Sequence, residues 1–209
     1  MDNTFLKSLM NNTAEIMLNN KEYLIKLDSV VGDGDLGLTM SDGFKAAAEN
    51  MNNSEETDLG KLVYMAGKAM STAVPSTMGT LIASGLMQAG KALKGQTVVS
   101  FETIVAFYGA YEEGVMNRGK AKVGDKTFVD GINPAIKSLR ESLESHLALN
   151  EAAVKAYDAA LSGYENTATM IAVHGRAATR GEASKTLKDP GAYVAVLMME
   201  ALKKTTEIK

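Results

Sequence analysis

The sequence predicts an all-α protein. Eight helices form an up-and-down antiparallel barrel or bundle, one domain over residues 1–209, with the chemistry gathered at one end. Three observations lead there. Apolar residues recur at intervals of three and four along almost the whole chain, the spacing of one helix face. The Val98-Val99 pair is too short to argue for a sheet. Capping residues punctuate the apolar segments, and the connections are mostly short, which favours antiparallel neighbours.

The first predicted helix carries a loose apolar stripe of Phe5, Leu6, Leu9, Ile16, Met17 and Leu24. The second runs from about Leu38 to Met51. The third spans about Asp58 to Ala73, with Leu59, Leu62, Val63, Ala66 and Met70 on one face. The fourth covers about Thr77 to Leu93. The fifth opens at Ser100, a good N-cap with Thr103 three residues on, and ends near Asn117. The sixth starts near Thr127 or Asp130 and continues to about Leu147, with Pro134 in its early turns. The seventh runs from a cap at Asn150 to about Met170. The eighth opens at Asp189-Pro190, a cap followed by the favoured first-position proline, and reaches about Lys204.

In such an arrangement the connections after odd-numbered helices all fall at one end. Those four are the chemically rich ones: Asp28–Gly37, Val74–Gly79, Arg118–Lys126 and His174–Gly191. The other connections are bland, a sorting that a chain without a site has no reason to show.

The first rich loop crowds Asp28, Asp33 and Asp35 among Gly32, Gly34 and Gly37. Asp-Gly-Asp alone is an ordinary turn. Three carboxylates repel one another unless a cation sits between them, and hard oxygen ligands of this kind suit Mg²⁺. In the second loop Ser76 or Thr77 caps the next helix, whose free N–H groups also suit phosphate. The third loop holds Arg118, Lys120, Lys122 and Lys126. The fourth holds Arg176 between two small residues, placed to stabilise a transferring phosphoryl group, and Asp189-Pro190-Gly191. Carboxylates, cations and helix N-termini at one end match a nucleotide held by Mg²⁺ for phosphoryl transfer. No Walker motif and no protein-kinase signature occurs. Of the two histidines, His146 lies in a polar surface stretch and His174 reads as a loop residue; neither has an evident orienting partner.

Bulk properties narrow the class. A net charge of −3 and a pI near 5.5 argue against nucleic-acid binding. Cysteine is absent, so disulfides and thiolate metal sites are out. No apolar run approaches membrane-spanning length and no signal-peptide pattern opens the chain, so a cytoplasmic protein is expected. The 13 methionines are scattered as flexible core filler.

Three motifs, in order, make the chain resemble the nucleotide-binding L subunit of bacterial dihydroxyacetone kinases. They are Leu27-Asp28 with Gly32-Asp33-Gly34-Asp35 and Gly37; Arg118-Gly119-Lys120-Ala121 with Gly124-Asp125-Lys126-Thr127 and Asp130; and Gly175-Arg176-Ala177 with Gly181-Glu182, Ser184 and Asp189-Pro190-Gly191. The resemblance implies an eight-helix barrel binding ADP or ATP through two Mg²⁺. Asp28, Asp33 and Asp35 stand at the metal-ligand positions. Leu36, Gly37, Leu38, Thr39, Ser76, Thr77, Met78, Gly119, Phe128, Arg176, Asp189, Pro190 and Gly191 stand at the nucleotide contacts, and Arg176 is the catalytic cation. The implied partners are a K-type subunit holding dihydroxyacetone and, in phosphotransferase-linked systems, an M-type subunit that rephosphorylates ADP in place; a homodimer is left open. The chain departs from the family pattern at Leu36, across Val74–Thr80, at Ala183 and at Leu187. A related short ketose such as erythrulose, free ATP as donor, and a non-catalytic nucleotide-dependent regulator-binding protein are the alternatives.

Overall fold

The computed structural model describes residues 1–207, and among these residues regular structure is entirely helical. Helix α1 (Asn3–Asn19) is capped by Asp2, whose carboxylate accepts from the Thr4 N–H. Helix α2 (Lys21–Val31) follows after one residue. The single first helix expected from the apolar stripe is therefore two. Asn20 leaves helical backbone (φ −99°, ψ 5°), and its side-chain amide donates to the Ile16 carbonyl at 2.9 Å. This is the competition between a short polar side chain and the helical ladder.

Helices α3 (Leu36–Asn52), α4 (Leu59–Ala73), α5 (Thr77–Ala92), α6 (Phe101–Gly119), α7 (Phe128–Glu144), α8 (Leu149–Asn166) and α9 (Pro190–Thr206) complete the chain. Of the expected caps, Ser76 (of Ser76 or Thr77) caps α5, Ser100 caps α6 in a reciprocal box with Thr103, and Asp189 caps α9; Asp58, expected as the first residue of its helix, caps α4, and Thr127 and Asp130 together form a capping box on α7. Helix α8 differs from expectation. Its N-cap is Ala148, without a side-chain bond, and it ends at Asn166 rather than near Met170. A 3₁₀ turn, Thr167–Thr169, ends it, and a longer 3₁₀ run, Arg176–Ser184, lies in the connection to α9.

Packing follows chain order and closes on itself. Helices α1, α3, α4, α5, α6, α7, α8 and α9 each lie against the next, and α9 returns to α1. Helix α2 stands outside this ring, packed chiefly on α3. The ring buries Leu6, Met17, Met40, Phe44, Leu62 and Tyr111, each essentially without solvent exposure. Close helix approach needs glycine at Gly37, where an added Cβ would lie 2.2 Å from the Lys21 carbonyl oxygen. That contact fixes the start of α3 against α2, and so fixes the loop between them.

Candidate functional site

The α2–α3 connection is only residues 32–35, and it draws three carboxylates together. Asp28 lies in the last turn of α2, Asp33 in the turn and Asp35 at the N-cap of α3. Gly34 supplies the left-handed backbone the turn requires (φ 76°). Each carboxylate offers an oxygen within 4.8 Å of the others. Asp35 makes no capping bond, so its oxygens are not used by the helix. Burial, with Asp33 and Asp28 adding repulsion, holds the Asp35 carboxyl above the usual carboxylate range, while Arg176 opposes this. A cluster of hard oxygen donors that crowd one another in this way fits a magnesium site. The guanidinium of Arg176 donates to Asp33 Oδ2 at 2.6 Å, across 143 residues of chain.

Two helix N-termini face this cluster. Ser76 Oγ accepts from the Gly79 N–H at 3.0 Å and lies 3.2 Å from Thr39 Oγ1. The cap expected from sequence is therefore made, and the first-turn N–H groups of Thr77 and Met78 have no acceptor within the helix. At α9, Asp189 Oδ2 accepts from the Ala192 N–H at 2.7 Å. Burial pushes the Asp189 carboxyl up to about 7, against the lowering by that bond and by Lys126.

The third and fourth rich loops interlock. Asp125 accepts from the Lys122 N–H at 2.9 Å and lies 3.1 Å from His174 Nε2. These contacts and the His174 charge hold the Asp125 carboxyl below the usual range, overriding its desolvation. His174, expected to be an unpartnered loop residue, thus has an orienting carboxylate. Lys126 is not a free cation: it is 2% exposed, and its Nζ donates to backbone carbonyls. Desolvation lowers its pKa. Asp130, besides the α7 cap, accepts from the Gly124 N–H at 2.6 Å.

These parts line one cleft of about 830 Å³. All four rich loops reach it. Its lining includes Asp28, Asp33, Asp35 and Leu36; Ser76, Thr77 and Met78; Gly119 and Phe128; and Arg176, Asp189, Pro190 and Gly191. Three expected contact residues are absent from the lining. Gly37 packs on α2, Leu38 is exposed to solvent, and Thr39 is buried behind Ser76. The sequence argument missed Leu81 and Val115, which form an apolar wall beside Phe128. Leu81 lies one helical turn after Thr77 and Val115 one turn before Gly119, so helical spacing from the named residues was the available signal.

The DAK2 domain family matches residues 30–204. The ADP-binding subunit DhaL of the PEP-dependent dihydroxyacetone kinase of Escherichia coli K12 is 32% identical over 202 residues, 97% of this chain and 96% of that one. An L-erythrulose kinase of Pectobacterium atrosepticum is 29% identical over 92% of this chain, which spans 33% of it. In fold, the chain matches the dihydroxyacetone kinase of C. freundii, solved with AMP-PNP and Mg²⁺, with a TM-score of 0.74 at 22% identity; the match covers 98% of this chain and 34% of that one.

Proposed function

The chain belongs to the DAK2 domain family, and from that premise we propose that it is the ADP-binding subunit of a phosphotransferase-linked dihydroxyacetone kinase. In this reading it delivers a phosphoryl group from bound nucleotide to a ketose held on a K-type subunit, and an M-type subunit recharges the ADP. The observation that carries the reading is the carboxylate triad, Asp28, Asp33 and Asp35, clustered within 4.8 Å and paired with Arg176 at the cleft that α5 and α9 open onto. The similarity to the E. coli subunit, over nearly the full length of both chains, supports the subunit assignment.

Each part then has a task. Asp28, Asp33 and Asp35 would hold Mg²⁺, which would supply charge neutralisation to the phosphates. The first turns of α5 and α9 present N–H groups and positive dipole to the phosphates. Leu81, Val115 and Phe128 give the base an apolar wall. Arg176, held beside the cluster by Asp33, would supply a cation to the transferring group. A second reading, the same role toward erythrulose, draws support from the L-erythrulose kinase relative.

Mass spectrometry of the denatured, freshly purified protein tests the nucleotide assignment. ADP in the supernatant is expected. No nucleotide there, together with no heat on titrating Mg²⁺ and ADP, overturns it.

A further inference from the structure

The loop that carries Arg176 is largely exposed and its regular structure is confined to the 3₁₀ run Arg176–Ser184, yet both of its ends meet at one buried ammonium. Lys126 Nζ donates to the Thr167 carbonyl at 2.5 Å and the Met170 carbonyl at 3.4 Å on one side, and to the Leu187 carbonyl on the other. An ammonium has three N–H donors, so none is left for a phosphate. Lys126 lines the cleft, but its charge is committed to backbone.

The residue before Lys126 acts on the same loop, just inside its N-terminal end. The Asp125 carbonyl accepts from the Val173 N–H at 3.2 Å, and its carboxylate lies 3.1 Å from His174 Nε2. The loop's ends are also tied to each other: the Thr186 N–H donates to the Ala168 carbonyl at 2.9 Å, and the Asp189 N–H donates to Thr167 Oγ1 at 2.9 Å. Two non-glycine residues here adopt left-handed backbone, Lys126 (φ 62°) and Thr186 (φ 74°). Such conformations are strained and persist where surrounding contacts over-determine them, commonly at functional sites. For β-branched Thr186 this is an outlier even by that standard.

We propose that the Asp125-Lys126 dipeptide is a positioning clamp: it gathers both ends of the 170–187 loop and holds Arg176 over the carboxylate cluster. The contribution to catalysis rests on the proposed function, since it takes Arg176 as the transfer cation. The clamp itself rests on the hydrogen bonds alone.

The test has two arms. In the first, amide hydrogen exchange is measured on the nucleotide-free native protein. The Val173 and Thr186 amides are expected to exchange far more slowly than those of the neighbouring exposed residues Arg180 and Glu182. Equal, fast exchange at all four overturns the clamp. In the second, Lys126→Met removes the donors while keeping a linear side chain one atom shorter. Loss of hydrogen bonds from a charged donor is expected to speed exchange across residues 170–187 by about tenfold or more. Turnover with a K-type partner is expected to fall by roughly 100-fold, as displaced catalytic groups do. Affinity for Mg²⁺-ADP should change by less than about tenfold, because the triad and α5 lie outside the loop. Native-like exchange and turnover in Lys126→Met overturn the proposal, and so do equal losses of affinity and turnover. If Lys126→Met fails to fold, the native-protein arm decides. If even the native protein binds no nucleotide, the functional reading falls while the exchange arm still judges the clamp.

Discussion

Asp33 serves two partners, the carboxylate cluster and Arg176, whereas Asp35 serves the cluster alone. Asp33→Ala and Asp35→Ala are both expected to abolish Mg²⁺-dependent nucleotide binding by calorimetry with the helical circular dichroism unchanged. Undiminished affinity in both variants would remove the metal assignment. Arg176→Ala is expected to keep nucleotide and lose phosphoryl transfer by on the order of 10³-fold in single-turnover assays with a K-type partner. Turnover within a few-fold of native would make Arg176 structural. Asp189 yields a pH prediction. Its folded-state value of about 7 stands above the ordinary 3.8, so the bound proton stabilises the fold fully below the unfolded value. That contribution is lost as pH rises toward 7. Asp189→Asn keeps a cap acceptor without the charge, so its Tm relative to native should improve between pH 5 and pH 8 in nucleotide-free protein. A constant difference would show that Asp189 does not titrate there. The clustering of the three aspartates was legible because their spacing crowds one short loop, whereas the Arg176–Asp33 pairing, 143 residues apart, was not. The pairing of His174 with Asp125 was not, because nothing local ties residues 49 apart in sequence.

At the scale of elements, caps were the most readable signal. Ser76, Ser100, Thr127 and Asp189 each open the helix the sequence assigned to them. The α1–α2 break was hidden because Asn20 is no strong helix breaker, and buried Met17 and Leu24 continue the apolar stripe on either side of it. The end of α8 was overrun because the lock on residues 167–170 comes from Lys126, far away in sequence. Gly37, which the resemblance places at a nucleotide contact, lets α3 approach α2. Gly37→Ala should therefore cost about 1–3 kcal/mol in urea unfolding, the usual range for overpacking. It should also weaken Mg²⁺-nucleotide binding by moving Asp35 relative to Asp28. A variant of native stability would show that the helices can part freely at this point.

For the whole molecule, the alternation of rich and bland connections carried the argument from sequence to site. It survives the extra helix because α2 extends the first leg and the ring still has eight members. What the alternation could not supply is a carbonyl-capturing nucleophile, and the cleft lining offers no cysteine and a single histidine that is already paired with Asp125. The purified protein is thus expected to phosphorylate no three- or four-carbon ketose with Mg²⁺-ATP when no partner is present. Robust sugar phosphate in that assay would overturn the subunit reading in favour of a self-contained kinase.

The closure of α9 on α1 has a consequence for how the molecule forms. Every other joint in the ring links helices close in sequence, but this seam joins Asn12 to Thr205 and Glu15 to Lys204, each pair at 2.8 Å. Its formation carries the greatest loop-closure entropy in the fold, and local joints can assemble without it. The seam is therefore expected to be the last joint to zip. Parting the seam breaks the ring between α1 and α9, whose buried faces include Leu6 and Leu9 on one helix and Met198 on the other.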